Sequence, residues 1–350
     1  MNYDRMWTNL NRELGRLETA SGELSSALEG LELQQRNAGF IKDDLKEVRR
    51  LSFESEDSAD LSFRAQLNPR RADRHGGAGV SSPPVGQRNI NNGCFLCREN
   101  IRWQQDQCQI GFEILTENDS YNVLMNPFPL LPNHVVVASH KHVPQAFRLP
   151  EEQGDRVTIN HIVADLCEIA KRLPDHIGFY NGVDAGASIP GHLHYQFFRR
   201  APDDPIFPLE LRHFAEFGDA GGPELIQDYP IDILRWSGEI SAVVLQFGEW
   251  ITNWLKDNEF RKELLTCNLI CSSAGRAGEV VFYFVPRLRD RQFWRGDGGI
   301  VGGLEILGEL VLATKEELRL IDSGNIDYNY IFESLSMVNA PLSHASLSRL

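Results

Sequence analysis

A run of residues between Gly186 and Phe198, GASIPGHLHYQFF, has the side chains needed to handle a phosphate ester. If its second part is a strand, His192, His194 and Gln196 lie on one face, because successive side chains of a strand point to opposite sides. An imidazole can act as a nucleophile near pH 7, and backbone amides of a Gly-rich loop can hold phosphate oxygens. A histidine pair in a strand is more often structural. The Gly-rich loop before it and the glutamine after it favour a phosphate site.

A close pair of cysteines, Cys94 and Cys97, lies ahead of this run. The chain's 6 cysteines, spread over 350 residues, are too few for a disulfide scaffold. In a reducing compartment a close pair indicates metal or redox chemistry. The surroundings lack the strand and helix of a thioredoxin-like site, which favours a metal, and tetrahedral zinc would need two further ligands.

These motifs, together with the stretch HVVVASHKH that begins at His134, resemble the histidine-triad superfamily. The similarity is to the branch that contains galactose-1-phosphate uridylyltransferase, diadenosine tetraphosphate phosphorylase and the GDP-hexose phosphorylases. In triad proteins a strand that begins with Gly-His runs eight residues to a second histidine, and His142 follows His134 at that distance. The hydrolases of the superfamily carry three alternating histidines, whereas this branch carries His, His, Gln, as this chain does.

The resemblance implies roles for the residues around the two motif histidines. It makes His194 the nucleophile whose ring nitrogen attacks the α-phosphorus, and Gln196 a donor to phosphate oxygens in place of the third histidine. An asparagine at the same distance ahead of the motif in the uridylyltransferase implies that Asn181 contacts substrate, with Ser188 on phosphate. Gly186 would offer its backbone amide, and a plain turn is the alternative for it.

The resemblance also completes the metal site. Similar transferases add a histidine at the end of the preceding strand and the first histidine of the nucleophile motif, here His142 and His192. The expected cofactor is Zn²⁺, with four ligands: Cys94, Cys97, His142 and His192. His140 is a second choice. Such a site would clamp the strand that carries the nucleophile.

Further candidates for substrate contacts lie outside the motif. Asn126 and Phe128, in NPFPLLP, resemble the stretch that lines the base and ribose in this branch, and an ordinary turn is an equal alternative. Arg287, in FVPR, resembles a phosphate contact of the phosphorylases. The stretch FRAQLNPRR resembles the Arg-rich start of related transferases, which implies phosphate contact by Arg64, with Arg70 or Arg71 in its place; solvated arginines are the alternative.

The composition limits the classes of partner. Of 350 residues 42% are hydrophobic, the net charge is −14 and the pI is near 5.2. A broad basic face for nucleic acid is therefore not expected, since such binding depends on Lys and Arg. No stretch approaches the roughly 18 apolar residues of a membrane span, and the start of the chain lacks signal-peptide features. We expect a cytoplasmic protein with a substantial core and neither nucleic-acid nor membrane partners.

The elements that would position these residues alternate between helices and strands. Residues 4 to about 52 have leucines at helical spacing, which predicts a helix. Strand patterns follow at FEILT, YNVLM and VVVAS, then an amphipathic helix over 155–173 and strands IGFYN and HLHYQFF. A similar order returns with a helix over about 231–256 and strands NLICSS, EVVFYFVPR and GGLEILGELVLA. The run from His75 to Gly93 is a predicted loop.

The predicted fold class is α+β, with two histidine-triad-like halves, each an antiparallel sheet covered by helices, and an N-terminal helical extension. We place the extension at residues 1–60, the catalytic half with its zinc site at 61–210 and the second half at 211–350. The resemblance covers roughly residues 63–335 and leaves the N-terminal helix outside.

The motifs favour a nucleotidyltransferase of the phosphorylase type that works through a nucleotidyl-histidine. It would cleave a nucleoside diphosphate sugar or a dinucleotide polyphosphate and pass the nucleoside monophosphate to phosphate or a sugar phosphate. Leu193 and Tyr195 stand where the uridylyltransferase has proline and glycine, which favours the phosphorylases. Two alternatives stay open, a triad-type nucleotide hydrolase and a non-catalytic zinc-stabilised nucleotide-binding protein. A second copy of the chain, forming a homodimer, is a further candidate partner.

Overall fold

The protein is a mixed α+β structure, as the sequence predicts. The computed structural model describes residues 2–41, 43–56, 61–68, 70, 90–103, 108–217, 222–276, 278–291, 299–312 and 315–342. In chain order the α-helices and strands are α1 (Tyr3–Ser21), α2 (Leu24–Asn37), β1 (Arg49–Glu54), β2 (Ser62–Leu67), α3 (Arg98–Ile101), β3 (Phe112–Leu115), β4 (Ser120–Met125), β5 (Val135–Ser139), β6 (Phe147–Arg148), β7 (Val157–Thr158), α4 (Ile159–Lys171), β8 (His176–Asn181), β9 (His194–Arg199), β10 (Phe214–Glu216), β11 (Glu224–Ile226), β12 (Leu234–Glu239), α5 (Ile240–Asp257), β13 (Leu265–Ser273), β14 (Glu279–Leu288), α6 (Gly303–Ile306), β15 (Glu309–Leu312), α7 (Lys315–Asp322) and α8 (Tyr328–Ser336).

A ten-stranded sheet in the described part of the chain carries the candidate site. Its order is β10-β11-β12-β14-β13-β8-β9-β5-β4-β3, and each neighbouring pair is antiparallel. The five strands from the predicted catalytic half meet the five from the second half edge to edge, where β8 pairs with β13. The two antiparallel sheets that the sequence predicts are therefore continuous. The exact domain boundaries at residues 60 and 210 stay predictions.

The two faces of this sheet are buried in separate apolar clusters, as the alternation along β9 shows. Tyr195 and Phe197 join a cluster with α4 and α5, which includes the large side chains of Phe247 and Trp250. Phe198, which points the other way, packs in a cluster with β2, β15 and α8. Burying an aromatic side chain of this kind contributes about 1.5–3 kcal/mol, so both faces are held firmly.

The N-terminal segment differs from the single predicted helix over residues 4–52. Gly22, with φ of 75°, ends α1 in the left-handed conformation that glycine adopts readily, and α2 begins two residues later. The run RRLSFE then forms β1, which pairs with β2, while β15 pairs with β2 on its other side. Leu51 and Phe53 in this run alternate with polar residues, a strand pattern that the leucine spacing upstream obscured.

Three other predicted elements have different bounds. The helix predicted over 155–173 begins at Ile159, because the Thr158 side chain caps it by accepting from the His161 N–H. The helix predicted from 231 begins at Ile240, since the preceding residues pair with β14 as β12. The predicted strand GGLEILGELVLA divides at Gly308, with φ of 90°, into α6 and β15.

Two further expectations concern segments rather than bounds. Most of the predicted loop from His75 to Gly93 lies outside the described residues, which resume at Ile90; Asn91–Gly93 form one turn of 3₁₀ helix. Arg71 also lies outside them. Among the helices of the described ranges, none is both long and apolar enough to cross a membrane.

Candidate functional site

Four side chains converge beside the ends of β5 and β9, namely Cys94, Cys97, His142 and His192, and their ligand atoms all lie within 4.8 Å of one another. The Cys94 Sγ to His192 Nδ1 distance is 3.4 Å, and the Cys97 Sγ to His142 Nδ1 distance is 3.3 Å. The two Nδ1 atoms are 3.3 Å apart. Tetrahedral zinc, with bonds of about 2.0 Å to nitrogen and 2.3 Å to sulfur, needs N···N and N···S separations of roughly 3.3 and 3.6 Å. The donor set therefore fits zinc in both atom type and spacing.

The outer contacts of these residues prepare the same atoms for a metal. His192 Nε2 lies 2.7 Å from the Ser139 carbonyl oxygen, so this nitrogen donates and the Nδ1 lone pair faces the thiols. The Asn91 amide donates to Cys97 Sγ at 3.2 Å. A hydrogen bond from Cys97 holds the pKa of the Cys94 thiol well below its usual range, against the effect of burial. His192 lies in a bend before β9, so the predicted strand alternation does not extend to it.

The turn that carries the cysteines is set by local sequence and by the N-terminal helix. Asn91, Asn92 and Gly93 all have positive φ, which asparagine and glycine tolerate, and the Asn100 side chain donates to the Cys94 carbonyl at 2.7 Å. Trp7 of α1 packs in an apolar cluster that includes Leu96 of this turn. The extension outside the resemblance is therefore part of the support of the cysteine turn.

The candidate nucleophile, His194, is the first residue of β9 and is 2% exposed. Its Nδ1 lies 2.8 Å from the His192 carbonyl oxygen. Because a carbonyl can only accept, Nδ1 carries the proton and Nε2 keeps its lone pair. Burial lowers the pKa of the His194 imidazole to about 4. The ring is thus neutral near pH 7, with Nε2 as its nucleophilic atom.

Gln196 is oriented by a chain of hydrogen bonds through His134. The Leu130 N–H donates to His134 Nδ1 at 3.1 Å, which leaves the His134 proton on Nε2. That nitrogen lies 2.9 Å from Gln196 Oε1, so the glutamine oxygen accepts and its NH₂ group is left as a donor. Gln196 is on the same face of β9 as His194, as the alternation predicts. This orientation suits a donor to a phosphate oxygen.

The Gly-rich loop between β8 and β9 is held by contacts with the second half. Gly186 has φ of 98°, and a Cβ there would lie 2.7 Å from Gly302 Cα, so only glycine fits. Asn181 Oδ1 accepts from Asn268 Nδ2 at 2.8 Å and from the Gly303 N–H at 3.1 Å. The Asn181 side chain is therefore engaged inside the protein. Ser188 is exposed on the loop.

The remaining predicted substrate residues lie in two kinds of surroundings. Asn126 Oδ1 accepts from the Phe128 N–H at 2.9 Å, which shapes the turn after β4 and leaves both side chains half-buried. Arg64 on β2 forms an ion pair with Asp204, and Arg70 forms one with Glu47. The Arg64 guanidinium is thus already bound to a carboxylate.

Arg287, the predicted phosphate contact, is fully buried. Its Nη1 donates to Asn268 Oδ1 at 2.8 Å and to the Val301 carbonyl at 3.0 Å. Burial lowers the pKa of the Arg287 guanidinium to about 10. The structure places it in the joint between the halves, bonded to the residue that holds Asn181.

Sequence reasoning missed three polar residues that support this site: Gln145, Asn100 and Asn268. All three are 0% exposed; Gln145 and Asn268 are hydrogen-bonded to residues far away in the chain, whereas Asn100 donates to the nearby Cys94 carbonyl. Gln145 in HVPQAF and Asn268 in CNLICS each interrupt an apolar stretch, which is the only local signal for either of them. A buried amide must be hydrogen-bonded, so a lone amide within an apolar stretch indicates a buried polar contact.

Comparison with known proteins identifies the fold. The family described as a domain of unknown function, DUF4922, matches residues 31–199. Comparison with curated protein sequences gives no match. The crystal structure of yeast Ap4A phosphorylase Apa2 in complex with Ap4A is similar with a TM-score of 0.58 and 12% identity, over 89% of this chain and 98% of that chain. Apa2 in complex with AMP gives 0.56 and 12%, and Apa2 alone 0.56 and 13%, each over 89% of this chain and 96% of that chain. The chain therefore has the overall fold of this phosphorylase, in agreement with the α+β architecture of two joined halves that the sequence predicts.

Proposed function

We propose that the protein is a nucleotidyltransferase of the phosphorylase type that forms a nucleotidyl intermediate on His194. The observation that carries this is the hydrogen bond from His194 Nδ1 to the His192 carbonyl, which leaves Nε2 unprotonated in a buried ring. Gln196 lies on the same face with its NH₂ group free of His134. The Apa2 complexes with Ap4A and AMP make a dinucleotide polyphosphate the first substrate to test, and a nucleoside diphosphate sugar the second.

The reaction follows from these atoms in two steps. His194 Nε2 attacks the α-phosphorus, a P–N bond forms, and the bond to the bridging oxygen of the leaving phosphate breaks. Charge on the phosphoryl oxygens is met by the Gln196 NH₂ group, the Ser188 hydroxyl and the Gly186 amide. An oxygen of inorganic phosphate or a sugar phosphate then attacks the same phosphorus and releases the imidazole. Asn126 and Phe128 would line the base and ribose.

The metal site has a structural part in this proposal. Cys94, Cys97, His142 and His192 would hold Zn²⁺, which contributes stability to the fold rather than reacting with substrate. His192 connects the metal cluster to the nucleophile. Its backbone carbonyl accepts from the His194 ring, while its own ring belongs to the cluster. A fixed His192 therefore means a fixed tautomer of the nucleophile.

Trapping the intermediate tests the function. The protein is incubated with a dinucleotide polyphosphate labelled at the α-phosphorus, without an acceptor, and the protein is then separated from nucleotide. We expect label that is lost in acid and kept in base, and none in His194→Ala. His161→Ala, which changes an exposed histidine on α4, is the matched control and should label normally. Label that persists in His194→Ala would show that another residue is the nucleophile.

The identity of the nucleotidyl acceptor, phosphate or water, distinguishes a phosphorylase from a hydrolase. Phosphate added to the labelled protein should release nucleoside diphosphate at a rate that rises with phosphate concentration. Gln196 favours this outcome, since its amide, unlike an imidazole, neither gains nor loses a proton near pH 7 and cannot act as a general base for an attacking water. Rapid release of nucleoside monophosphate without phosphate would indicate a hydrolase instead.

A further inference from the structure

The ten-stranded sheet forks at the candidate nucleophile. The pairing of β8 with β9 ends at Phe179 and Gln196. If this register continued, Asn181 would pair with His194, two residues further along each strand. Asn181 instead stays on β13, opposite Asn268, while His194 stays on β5. The backbone groups of His194 that face β8 therefore lack their ladder partner.

The Gln145 side chain fills this fork. Its Oε1 accepts from the His194 N–H at 2.7 Å, and its Nε2 donates to the His194 carbonyl at 2.9 Å. Nε2 also donates to the Asn181 carbonyl at 2.9 Å. The orientation of the amide is fixed, because one end faces a donor and the other faces two acceptors. Gln145 thus replaces the missing strand pair with three hydrogen bonds.

Gln145 is itself anchored on the side of the Gly-rich loop. It is 0% exposed, and its own backbone N–H donates to the Pro190 carbonyl at 2.9 Å. It follows His142, one of the four residues of the metal cluster, by three residues. The peptide groups of His194 are therefore tied through one side chain to β8, to the loop and to the segment that carries His142.

We propose that Gln145 is a positioning residue that fixes the backbone of His194, and through it the tautomer and direction of the nucleophilic ring. The tautomer of His194 depends on the hydrogen bond from its Nδ1–H to the His192 carbonyl. This bond joins residues only two positions apart, so it depends on the local backbone conformation. Without Gln145 the His194 N–H and carbonyl are buried and unsatisfied, so the start of β9 moves to recover partners. A shift of about 1 Å at a nucleophile can lower a rate on the order of 100-fold. The catalytic part of this proposal rests on the proposed function. The geometry of the His194 ring does not, because it is a property of the protein without substrate.

The test uses the full chain with Gln145→Met, which keeps the length of the side chain and removes all three hydrogen bonds. Gln35→Met is the matched control, because Gln35 on α2 is also 0% exposed and bridges backbone, accepting from Ile110 N–H at 3.2 Å and donating to the Cys108 carbonyl at 3.1 Å. Ring nitrogens are observed by NMR after selective ¹⁵N-histidine labelling, and His194 is assigned by its absence in His194→Gln.

We expect one protonated and one bare ring nitrogen for His194 in the wild type and in Gln35→Met. In Gln145→Met the two nitrogen signals should move toward each other, as the ring samples both tautomers. A His194 spectrum in Gln145→Met that equals that of Gln35→Met would overturn the proposal. If Gln145→Met does not fold, Gln145→Glu keeps the shape and the acceptor for His194 N–H, loses both donors, and is judged by the same spectrum.

The labelling rate distinguishes this inference from the proposed function. Protein nucleotidylation should be on the order of 100-fold slower in Gln145→Met than in Gln35→Met, with nucleotide affinity unchanged. Equal rates in the two variants would refute the positioning role. If the wild type takes no label at all, the proposed function fails, while the ring-nitrogen spectrum still decides whether Gln145 fixes His194.

Discussion

The chemistry of Gln196 depends on the direction of its amide, which His134 sets. His134 accepts from a backbone N–H and can therefore offer Gln196 only a donor, so Gln196 Oε1 turns toward His134. The NH₂ group is then presented on the face that carries His194. The chain has a net charge of −14, so the anionic substrate that we propose would have to be met by local donors such as this NH₂ group.

Replacing Gln196 by glutamate tests this donor. Gln196→Glu keeps an oxygen for His134, removes the NH₂ group and places a negative charge beside the phosphate. We expect nucleotidylation of the protein to slow on the order of 100-fold, because a donor to the developing charge becomes a repulsive group. Gln227→Glu, at a half-buried glutamine after β11, is the control in the same stopped-time labelling assay. Equal rates in the two variants would mean that Gln196 does not contact the phosphoryl group.

Residue types and local periodicity predicted part of this site but not its internal contacts. The alternation of β9 correctly placed His194 and Gln196 together, since that rule depends only on neighbouring residues. The rule failed for His192 because the strand starts two residues later, at His194. Gln145 and Asn268 could not be predicted as supports, because the site residues that they hold, Asn181 and His194, lie 36 to 87 residues away and are brought close only by the fold.

At the scale of elements, helix α1 supports the cysteine turn. The sequence had predicted this helix without a role in the site. Trp7 is 1% exposed, donates from Nε1 to Glu113 at 2.7 Å, and lies under the Arg98 guanidinium at 4.7 Å. Arg98 directly follows Cys97. A leucine pattern identified the helix but not its contact, since amphipathic spacing shows which side is buried and not what covers it.

Trp7→Ala should weaken the proposed zinc site as well as the fold. The loss of a buried tryptophan costs about 3–5 kcal/mol of unfolding free energy, and the turn that holds both cysteines loses its cover. Trp254→Ala is the matched control, because Trp254 is 2% exposed in α5, in another apolar cluster. We expect about one zinc per chain in the wild type and in Trp254→Ala, and faster transfer of zinc to a colorimetric chelator in Trp7→Ala. No zinc in the wild type would remove the metal proposal, and equal release from both variants would remove the role of α1.

At the scale of the whole molecule, the two halves are joined by more than the β8–β13 pairing. Arg287 donates to Asn268, and Asn268 donates to Asn181 and to the Ala185 carbonyl at 2.6 Å. The resemblance implied a phosphate contact for Arg287 and a substrate contact for Asn181, and the structure buries both side chains in this joint. The second half therefore contacts the Gly-rich loop of the candidate site, because Asn268 is hydrogen-bonded to its first residues.

Asn268→Ala should therefore affect both stability and transfer. It removes one hydrogen bond from each of Arg287 Nη1, Asn181 Oδ1 and the Ala185 carbonyl, which should lower the free energy of unfolding by about 2–4 kcal/mol in urea titrations. The loop that begins at Ala185 also loses its anchor, so nucleotidylation of the folded fraction should slow.

Asn258→Ala separates these two effects. Asn258 is equally buried, at 1% exposed, and its amide donates to the Trp254 carbonyl within the second half. This variant should lose stability without slowing nucleotidylation of the folded protein. If Asn268→Ala slows labelling no more than Asn258→Ala at matched folded fractions, the joint stabilises the molecule but does not position the loop, and the second half has no part in catalysis through Asn268.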